Sequence, residues 1–434
     1  MTLGVPLDVV LKPPPEFNGA GLVVGYSGGL DSTVLLHALA HQGFPRVQVV
    51  HVHHGLQTQA DDWVRHAEQF CASLDLPLSI EHVTVRGEGQ GIEAAAREAR
   101  YTAFARHMHP GDLLALAHHQ DDQAETVLLN LLRGSGPAGL AAMRPVSAFA
   151  TGHVWRPLLN VPRADLLAYA QSHQLSWIED PHNHDPAFAR SALRAQLMPL
   201  LRARWPAATR LIARAAELQA ESAELQQELA LSDLAQVDAH AQSLSIPAVL
   251  ALSPSRRRNL LRAWVGMCGL PMPYLDTLVR VDAEVMGARV DADPLLCWPG
   301  GEFRRYRDRL FVMPRLAPVA GEFRVALTAP AEIFLPPACG RLVATGAWPQ
   351  SVALSLRLVH EGDRFRPPGS ARARSLKTLF QSRSIPTWVR PRAPVLEGSR
   401  GLLWIGGLGW SADRPETLAG VELAWRDPPV GAVT

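Results

Sequence analysis

The chain has little lysine and an almost neutral charge balance. Lys12 and Lys377 are the only lysines, so arginine carries nearly all of the positive charge. Arginine stays protonated and can bind a phosphate through two parallel hydrogen bonds. The formal net charge of +1 argues against a uniformly basic surface that coats a nucleic acid. Any site for a polyanion must therefore be a local patch.

Cysteine is also scarce, and its spacing argues against the common metal sites. The cysteines are widely scattered and form no Cys-x-x-Cys or Cys/His pattern: Cys71, Cys268, Cys297 and Cys339. This argues against zinc and iron–sulfur sites and fits a reducing cytosol, so we expect a cytoplasmic protein. The N-terminus lacks a basic start followed by an apolar core, and no apolar run is long enough to span a bilayer. We therefore expect neither a signal peptide nor contact with a membrane.

The composition and hydrophobic pattern of the sequence change along its 434 residues, which suggests more than one hydrophobic core. Residues 1–203 alternate short β-rich runs such as RVQVVHVHH with helix-period segments such as DSTVLLHALAHQG, a pattern that predicts a parallel sheet covered on both faces. Residues 204–313 have a helical pattern, and residues 314–434 are rich in Pro, Gly and short strands. We predict an α/β domain, a helical domain and a linker leading into a small α+β module with its core at about 350–426.

Leucines recur at every seventh position in the helical region. Leu211, Leu218 and Leu225 fall on one face of the predicted helix. We interpret this stripe as a surface that packs in the core or in a helix hairpin.

A glycine turn joins the first predicted strand to the first predicted helix. The run VVGYSGGLDS, residues 23–32, leaves the strand through Gly28 and Gly29, and we expect the helix to begin at about Asp31 or Ser32. Two glycines let backbone N–H groups approach a ligand at the positive end of a helix, which is an arrangement that binds phosphate. The alternative is a capped helix that merely follows a glycine turn.

The turn differs from the common nucleotide-binding loops. No Gly-Lys-Ser/Thr follows, as a Walker A loop requires, and the GxGxxG dinucleotide pattern is absent. A loop without the lysine that reaches the outer phosphates suits chemistry at the α-phosphate, with pyrophosphate leaving. Asp31 at its rim is placed to help hold a Mg²⁺ ion.

SGGLDS resembles the SGGxDS loop of the PP-loop ATP pyrophosphatase superfamily, whose members adenylate a substrate and release pyrophosphate. Further stretches are similar to one family within it, the tRNA(Ile)-lysidine synthetases: HVHHGL at 51–56, GIEAAAREARY at 91–101, LAHHQDDQAETVLLNLLRGSG at 116–136, EDPHNHDPAFARSALRAQLMPLL at 179–201, and EGDRFRPP followed by LKTLFQSRSIPTWVR. The resemblance implies an adenine nucleotide alpha hydrolase-like PP-loop domain at the N-terminus. It also implies that the helical domain and the C-terminal module bind tRNA.

The resemblance implies a specific reaction. ATP, with Mg²⁺, would adenylate the C2 oxygen of the wobble cytidine C34 in the CAU-anticodon isoleucine tRNA. Free L-lysine would then attack C2 and expel AMP, which leaves lysidine and changes the codon read from AUG to AUA. Three other interpretations stay open: a PP-loop tRNA thiolase, a small-molecule synthetase and a non-catalytic RNA-binding protein.

Nucleotide-binding residues are implied by the same stretches. The family more usually has an acid at the position of His53 and commonly has Asn at the position of Ser191, so this chain departs from the pattern at both. Arg97 is implied to contact an ATP phosphate or RNA. The predicted ATP-binding residues are Ser27, Gly28, Gly29, Leu30, Asp31, Ser32, His53, Arg97 and His119.

Two carboxylates follow the strand that ends in HH. Asp122 and Glu125 are three residues apart and share one helix face. Such a pair suits the ammonium group of free lysine, and one of the two can later accept its proton. Acidic residues at a helix start also simply complement the helix dipole. The predicted catalytic residues are Asp31, Asp122 and Glu125.

Arginines complete the predicted substrate site. Arg190 and Arg194 are spaced to face one polyanion, and Arg133 is placed to contact the anticodon stem. Between Arg357 and Arg392 the chain has nine Lys or Arg against two acids, a patch whose aromatics suit unstacked bases. The alternative is a solvated basic loop with aromatics packed beneath. The predicted tRNA contacts of this patch are Arg364, Arg366, Lys377 and Trp388.

Overall fold

The structure, a computed structural model, describes most of the chain. It covers residues 11–13, 17, 21–44, 46–55, 60–84, 92–179, 189–238, 242–289, 292–319, 321–349, 354–399 and 401–432. The chain forms two compact units, unit 1 over Met1–Leu225 and unit 2 over Gln226–Thr434. Within the described residues, no helix has both the length and the apolar character needed to cross a membrane.

Unit 1 is an α/β domain. Its strands are β1 (Leu22–Gly25), β2 (Val47–His53), β3 (Leu78–His82), β4 (Leu113–Ala115), β5 (Val146–Phe149) and β6 (Gly152–Trp155). Its helices are α1 (Leu30–Ala40), α2 (Ala60–Ser73), α3 (Ile92–Arg106), α4 (Gln120–Leu132), α5 (Pro137–Leu140), α6 (Arg163–Ser172), α7 (Ala189–Ala192) and α8 (Met198–Arg204). A π-helical turn over Leu193–Leu197 joins α7 to α8. The predicted alternation of strand and helix is confirmed.

The sheet of unit 1 has the strand order β3-β2-β1-β4-β6-β5. All neighbours are parallel except β5 and β6. The predicted parallel sheet is confirmed, and β5 adds one antiparallel strand at its edge. Only Ala150 and Thr151 separate β5 from β6, and a loop this short can join only antiparallel neighbours.

Alternating side chains of the sheet form two cores. Val24 and Ala115 pack with α1, α2 and α6 on one face, and Val23 and Leu114 pack with α3 on the other. Burial of both faces explains the continuous apolar runs in the central strands. The carboxyl ends of β1, β2, β4 and β6 meet at one edge, where open α/β sheets bind ligands.

The long helix α9 (Ala208–Gln236) corrects the interpretation of the leucine stripe. Leu211, Leu218 and Leu225 are 50%, 53% and 66% exposed, whereas Ala213 and Ala216 are buried. The predicted packing of the leucines is therefore wrong. The alanine face is the buried one, because small side chains allow neighbouring elements to approach the helix closely.

Unit 2 combines helices with several antiparallel sheets. Its helices are α10 (Ile246–Ala251), α11 (Pro254–Met267), α12 (Leu275–Arg280), which continues in a π-helical turn over Val281–Met286, and α13 (Leu376–Ser382). Its strands are β7 (Ser243–Ser245), β8 (Leu295–Trp298), β9 (Gly301–Tyr306), β10 (Arg309–Met313), β11 (Arg324–Leu327), β12 (Ala331–Phe334), β13 (Arg341–Gly346), β14 (Leu354–Leu358), β15 (Arg364–Phe365), β16 (Arg374–Ser375), β17 (Pro394–Gly398), β18 (Gly401–Ile405), β19 (Gly409–Trp410) and β20 (Val421–Arg426). The strands predicted in EFRVALTAP and SVALSLRLV correspond to β11 and β14.

Three of these sheets form the C-terminal part of unit 2. Their strand orders are β11-β14-β17-β18-β19, β12-β13-β20 and β15-β16. Their shared core also contains Phe311 and Met313 of β10. Removal of the C-terminal part would expose these two side chains, so its role is better tested by surface substitutions than by truncation.

A buried ion pair organises the start of the C-terminal motif EGDRFRPP. The Arg357 guanidinium donates to both carboxylate oxygens of Asp363 at 2.9 Å, and its Nε donates to Glu397 at 3.2 Å. Burial alone would raise the pKa of Asp363, but hydrogen bonds from Arg357 and from the His360 N–H outweigh burial. The pKa of Asp363 therefore lies below its ordinary value.

We expect this pair to make unit 2 sensitive to acid. A carboxyl group with a lowered pKa stabilises the fold above its unfolded pKa, and that stability is lost as the pH falls below about 4 through the folded pKa. The expected loss is on the order of 1 kcal/mol. Urea unfolding of wild type and Asp363→Asn between pH 6 and 3 tests this, because the loss should be smaller in the variant. Equal pH dependence in both proteins would contradict it.

Candidate active site

The SGGLDS loop is held by its own hydroxyl groups. The Ser27 and Ser32 hydroxyls lie 3.0 Å apart, and Ser32 Oγ donates to the Gly29 carbonyl at 3.0 Å. Ser32 Oγ also accepts from the Ser27 N–H at 3.2 Å. Helix α1 begins at Leu30, slightly earlier than predicted, with Gly29 as its N-cap. The loop therefore keeps its shape at the positive end of α1.

Gly28 is favoured at its position by its backbone conformation, and a side chain there would also crowd Ile178. Its φ of +83° lies in the left-handed region, and an added Cβ would lie 3.0 Å from Ile178 Cδ1. The Ile178 N–H also donates to the Gly28 carbonyl at 2.8 Å. At Gly29 an added Cβ would meet only ordinary contacts, the nearest at 3.6 Å. The sequence signal for a close backbone approach thus has a steric cause at Gly28.

Asp31 lies at the rim of this loop with one oxygen unsatisfied. Its Oδ1 is buried and has no hydrogen-bond partner among the described residues. The nearest cation is Arg163, whose Nε lies 3.9 Å away. Its other oxygen, Oδ2, lies 3.6 Å from His119 Nε2. A buried carboxylate oxygen left without a hydrogen-bond donor is suited to a cation.

His119 connects the loop to the start of α4. Its ring Nδ1 accepts from the backbone N–H of Asp121 at 3.2 Å, and the backbone N–H of His119 donates to Asp122 Oδ2 at 3.2 Å. This reciprocal cap leaves Nε2 between Asp31 and Asp122, at 3.6 and 3.5 Å from their Oδ2 atoms. Burial lowers the pKa of His119, but these carboxylates outweigh burial and raise it above its ordinary value.

The predicted carboxylate pair shares one face of α4 and meets an arginine there. Arg194 donates to the two oxygens of Glu125 at 2.7 and 2.9 Å, and to Asp122 Oδ1 at 3.3 Å. The Glu125 side chain is 2% exposed and that of Asp122 is 15% exposed. Glu125 is therefore committed to Arg194, whereas Asp122 is the more accessible carboxylate.

Arg190 joins the same group of charges. Its Nη2 donates to Thr126 Oγ1 at 2.6 Å, and its Nε lies 3.5 Å from Glu125 Oε2. Arg194 lies in the π-helical turn between α7 and α8, a local widening that is frequent at functional sites. The arginines predicted to face a polyanion and the carboxylates predicted to bind lysine are thus in direct contact.

Comparisons with known proteins identify the family. Family models match in three places, as a PP-loop domain over residues 7–201, a TilS substrate binding domain over residues 244–311 and a TilS substrate C-terminal domain over residues 354–425. The tRNA(Ile)-lysidine synthase of Serratia proteamaculans is 44% identical over 385 residues, with 86% of this chain and 88% of the relative covered. That of Alkalilimnicola ehrlichii is 43% identical, with 90% of both chains covered. That of Xanthomonas campestris pv. campestris is 40% identical, with 95% of this chain and 96% of the relative covered.

The chain belongs to the tRNA(Ile)-lysidine synthase family. The family carries a PP-loop domain, which implies that this chain uses ATP. The SGGLDS loop and the carboxylates of α4 both lie within that domain. The fold class and family indicated by the sequence motifs are therefore confirmed.

Three other residues of the PP-loop domain, which the sequence predicted to contact ATP or tRNA, lie on different elements of unit 1. His53 ends β2, and its Nε2 lies 3.3 Å from Asp61 Oδ1. Arg97 is exposed on α3, where it donates to the Tyr101 hydroxyl at 3.2 Å. Arg133 is exposed at the C-terminal cap of α4. These positions fit the predicted contacts, which stay predictions.

In the C-terminal domain of the family, one predicted RNA contact is wrong. Trp388 is 3% exposed, and its ring nitrogen donates to the Val430 carbonyl at 2.8 Å. Its ring packs edge-on against Phe311, so it cannot stack on a base at the surface. Arg364 and Lys377 are exposed, and Arg366 pairs with Asp413. The alternative interpretation, aromatics packed beneath a basic surface, is therefore correct for Trp388.

Two arginines of the site escaped the sequence-based prediction. The Arg202 side chain pairs with Asp121, and the backbone N–H of Arg163 donates to Asp121 Oδ2 at 3.1 Å. They are 81 and 42 residues away from Asp121 in sequence. No local spacing marks such contacts, because they depend on how the helices pack.

Proposed function

We propose that this chain ligates free L-lysine to C2 of the wobble cytidine C34 in the CAU-anticodon isoleucine tRNA, through an adenylated cytidine. Lysidine results, and the tRNA then reads AUA instead of AUG. The observation that carries the proposal is the position of His119 Nε2, 3.6 Å from Asp31 and 3.5 Å from Asp122. This contact joins the phosphate-binding loop to an accessible carboxylate, as a reaction between a nucleotide and an amine requires.

In the first step, the cytidine O2 attacks the α-phosphorus of ATP, and pyrophosphate leaves. The backbone N–H groups after Ser27 and the positive end of α1 stabilise the negative charge on the phosphates. The Ser27 and Ser32 hydroxyls hold this loop in shape. C34 has to leave its stack to reach the loop, which is the usual requirement for chemistry on a base.

Mg²⁺ is the ion that we assign to this step, with Asp31 as its protein ligand. The unsatisfied Oδ1 of Asp31 fits that role. The described residues contain no group of three or more His, Cys, Asp or Glu side chains arranged for a metal. This fits Mg²⁺, which takes most of its ligands from water and phosphate oxygens. When bound, it would supply positive charge against the leaving pyrophosphate.

In the second step, the lysine ε-amine attacks C2 and AMP leaves. Asp122 binds the lysine ammonium and accepts the proton that it must lose before attack. Glu125 has a supporting role, because its two hydrogen bonds with Arg194 already neutralise it. Holding lysine beside the adenylated base supplies proximity for the attack.

The C-terminal surface supplies a further contact with the tRNA. Arg374 and Lys377 are exposed on β16 and α13. We expect Arg374→Gln/Lys377→Gln to weaken tRNA binding about tenfold, with the Michaelis constant for ATP unchanged. Filter binding with the isoleucine tRNA measures this.

The matched control for this prediction is Arg65→Gln/Arg280→Gln. Each of these arginines pairs with an acid on its own helix, Asp62 and Glu284, so the same loss of charge should leave tRNA affinity unchanged. Equal loss of affinity in both double variants would show only a general charge effect and would reject the assignment.

A PP-loop tRNA thiolase is the rival function, and the cysteines argue against it. Cys71 is the only cysteine in residues 1–225. Burial raises the pKa of its thiol to about 11, which leaves it unreactive at neutral pH. A thiolase that depends on cysteine would need a more acidic, accessible thiol at this site.

The experiment that tests the proposed function uses the full chain. Incubated with isoleucine tRNA transcript, ATP, Mg²⁺ and labelled lysine, it should add lysine to C34, as seen by mass spectrometry of nuclease digests. We propose that the reaction takes place in the cytoplasm. Sulfur at this base, or no change of mass with lysine present, would reject the proposed function.

A further inference from the structure

A group of basic side chains lies on the other face of the sheet edge from His119. His54, His118 and Arg156 follow β2, β4 and β6, and side chains alternate between the faces of a sheet. Each therefore shares a face with core residues that lie two or four positions before it. These residues pack in the core beneath α3: Val50, Val52, Leu114, Leu116 and Val154.

Helix α3 adds its own arginines at this place. The Arg97 guanidinium lies 4.9 Å above the Tyr101 ring, and Nη2 donates to its hydroxyl at 3.2 Å. Tyr101 also contacts Arg156, and Arg97, Arg100 and Arg190 of the Glu125 group all act electrostatically on His118. We call Arg97, Arg100, His118 and Arg156 the α3-face cluster. Four basic groups from a helix and two strand ends are thus near enough to act on one another's charge.

Arg156 is the strongest sign that this cluster awaits an anion. The residue is 8% exposed, and its Nη1 donates to the Arg144 carbonyl at 2.8 Å and to Ser147 Oγ at 3.1 Å. Its Nε is buried without a partner, and among the described residues no carboxylate pairs with it. A buried guanidinium with only neutral partners is costly unless a negative charge joins it.

His118 adds a second unsatisfied group. Its Nδ1 is buried without a hydrogen-bond partner among the described residues. Burial, followed by the charges of Arg156 and Arg97, holds the pKa of His118 well below its ordinary value. His118 is therefore neutral at physiological pH and keeps one N–H to donate. A phosphate oxygen would satisfy a guanidinium and an imidazole together.

We propose that the α3-face cluster binds one backbone phosphate of the RNA strand next to the target nucleotide. This rests on the proposed function, and it assigns Arg156, Arg100 and His118 to the substrate as well as Arg97. The chemistry recognised is a phosphate group, which the RNA and the ATP pyrophosphate both carry. We favour the RNA because the SGGLDS loop, with Asp31 and His119 beside it, already serves the nucleotide. A phosphate held on the other face would fix the strand while its base reaches that loop.

The test removes one arginine from the protein and one phosphate charge from the tRNA, separately and together. Isoleucine tRNA is assembled with an uncharged methylphosphonate on the 5′ or the 3′ side of C34, and its affinity for the full chain is measured for wild type and Arg97→Gln. We expect the variant to bind normal tRNA about tenfold more weakly. On one of the two modified tRNAs, wild type and variant should bind almost equally.

Matched variants keep the experiment interpretable. Arg106→Gln removes an exposed arginine of the same helix, one that pairs with Glu81, and should change no affinity. Arg156→Lys keeps the buried charge but loses the Nε–H and the guanidinium hydrogen bonds to Arg144 and Ser147, so it should repeat the loss of affinity and melt at a lower temperature that is still above the assay temperature. The slope of log affinity against log salt should fall by about one in Arg97→Gln.

Each other outcome overturns the proposal. If Arg97→Gln loses the same factor on normal tRNA and on both modified tRNAs, the cluster contacts neither phosphate. If the loss appears instead in the Michaelis constant for ATP and in inhibition by pyrophosphate, the cluster belongs to the leaving group. The binding comparison needs no turnover. A chain that binds phosphate here but transfers no lysine would therefore refute the proposed function and keep the phosphate site.

Discussion

Replacing Asp122 with asparagine is expected to reduce lysine transfer about 100-fold or more, while adenylation of the tRNA continues. Asparagine can still accept the backbone N–H of His119 that Asp122 accepts at 3.2 Å, so the cap of α4 is kept, while the negative charge and the acceptor for Arg194 are lost. The variant should release pyrophosphate with tRNA and ATP at near the wild-type rate. It should incorporate labelled lysine poorly.

The control for this prediction is Asp165→Asn, which removes an exposed acid from the first turn of α6. It should leave both steps unchanged. Lysine incorporation at the wild-type rate in Asp122→Asn would contradict the role of Asp122. A parallel fall in pyrophosphate release would show that Asp122 acts on the first step instead.

Replacing Asp31 with asparagine should lower pyrophosphate release about 100-fold or more, and lysine incorporation with it. The reason is the loss of the carboxylate charge at Oδ1, the atom without a hydrogen-bond partner. Initial rates of pyrophosphate release at saturating tRNA measure this, over a series of Mg²⁺ concentrations. The amount of Mg²⁺ needed for half-maximal rate should rise in the variant.

The two variants separate the two steps of the reaction. Asp31→Asn should affect both, whereas Asp122→Asn should affect only the second. Pyrophosphate release that keeps the wild-type rate and the wild-type Mg²⁺ dependence in Asp31→Asn would remove Asp31 from the catalytic group. The same Asp165→Asn protein serves as the control.

Local signals in the sequence were sufficient for the loop and the carboxylate face. Gly28 has a positive φ and a close neighbour, which is the condition that the double glycine indicated. Asp122 and Glu125 contact the same arginine because three residues make almost one helical turn. Both features depend on residues that are close together in the chain, so the sequence was enough to predict them.

Contacts between distant elements could not be read in this way. Arg194 meets Glu125 across 69 residues of sequence, and nothing in the spacing of either motif indicates the pairing. The contact between the carboxylates predicted to bind lysine and the arginines predicted to face a polyanion therefore went unpredicted. Only the packing of α7 and α8 on α4 reveals that Glu125 is already neutralised.

Burial was the other property that the sequence did not decide. Trp388 lies among arginines in the chain, which suggested a stacking surface, but its ring is enclosed by the core of unit 2. The leucines at 211, 218 and 225 are periodic, yet the alanines of α9 are the buried residues. In both cases a local pattern in the sequence suggested the role of a side chain. Whether that side chain is buried depends on which distant elements pack against it.

Transfer of AMP to the tRNA in the absence of lysine is the most direct test of the central claim. With ATP labelled at the α-phosphate, isoleucine tRNA with the CAU anticodon should become labelled. One pyrophosphate should be released from ATP for each AMP transferred to the tRNA. Added lysine should then displace the label as AMP. If neither labelled tRNA nor pyrophosphate forms, with or without lysine, the SGGLDS loop does not activate the cytidine and the account is wrong.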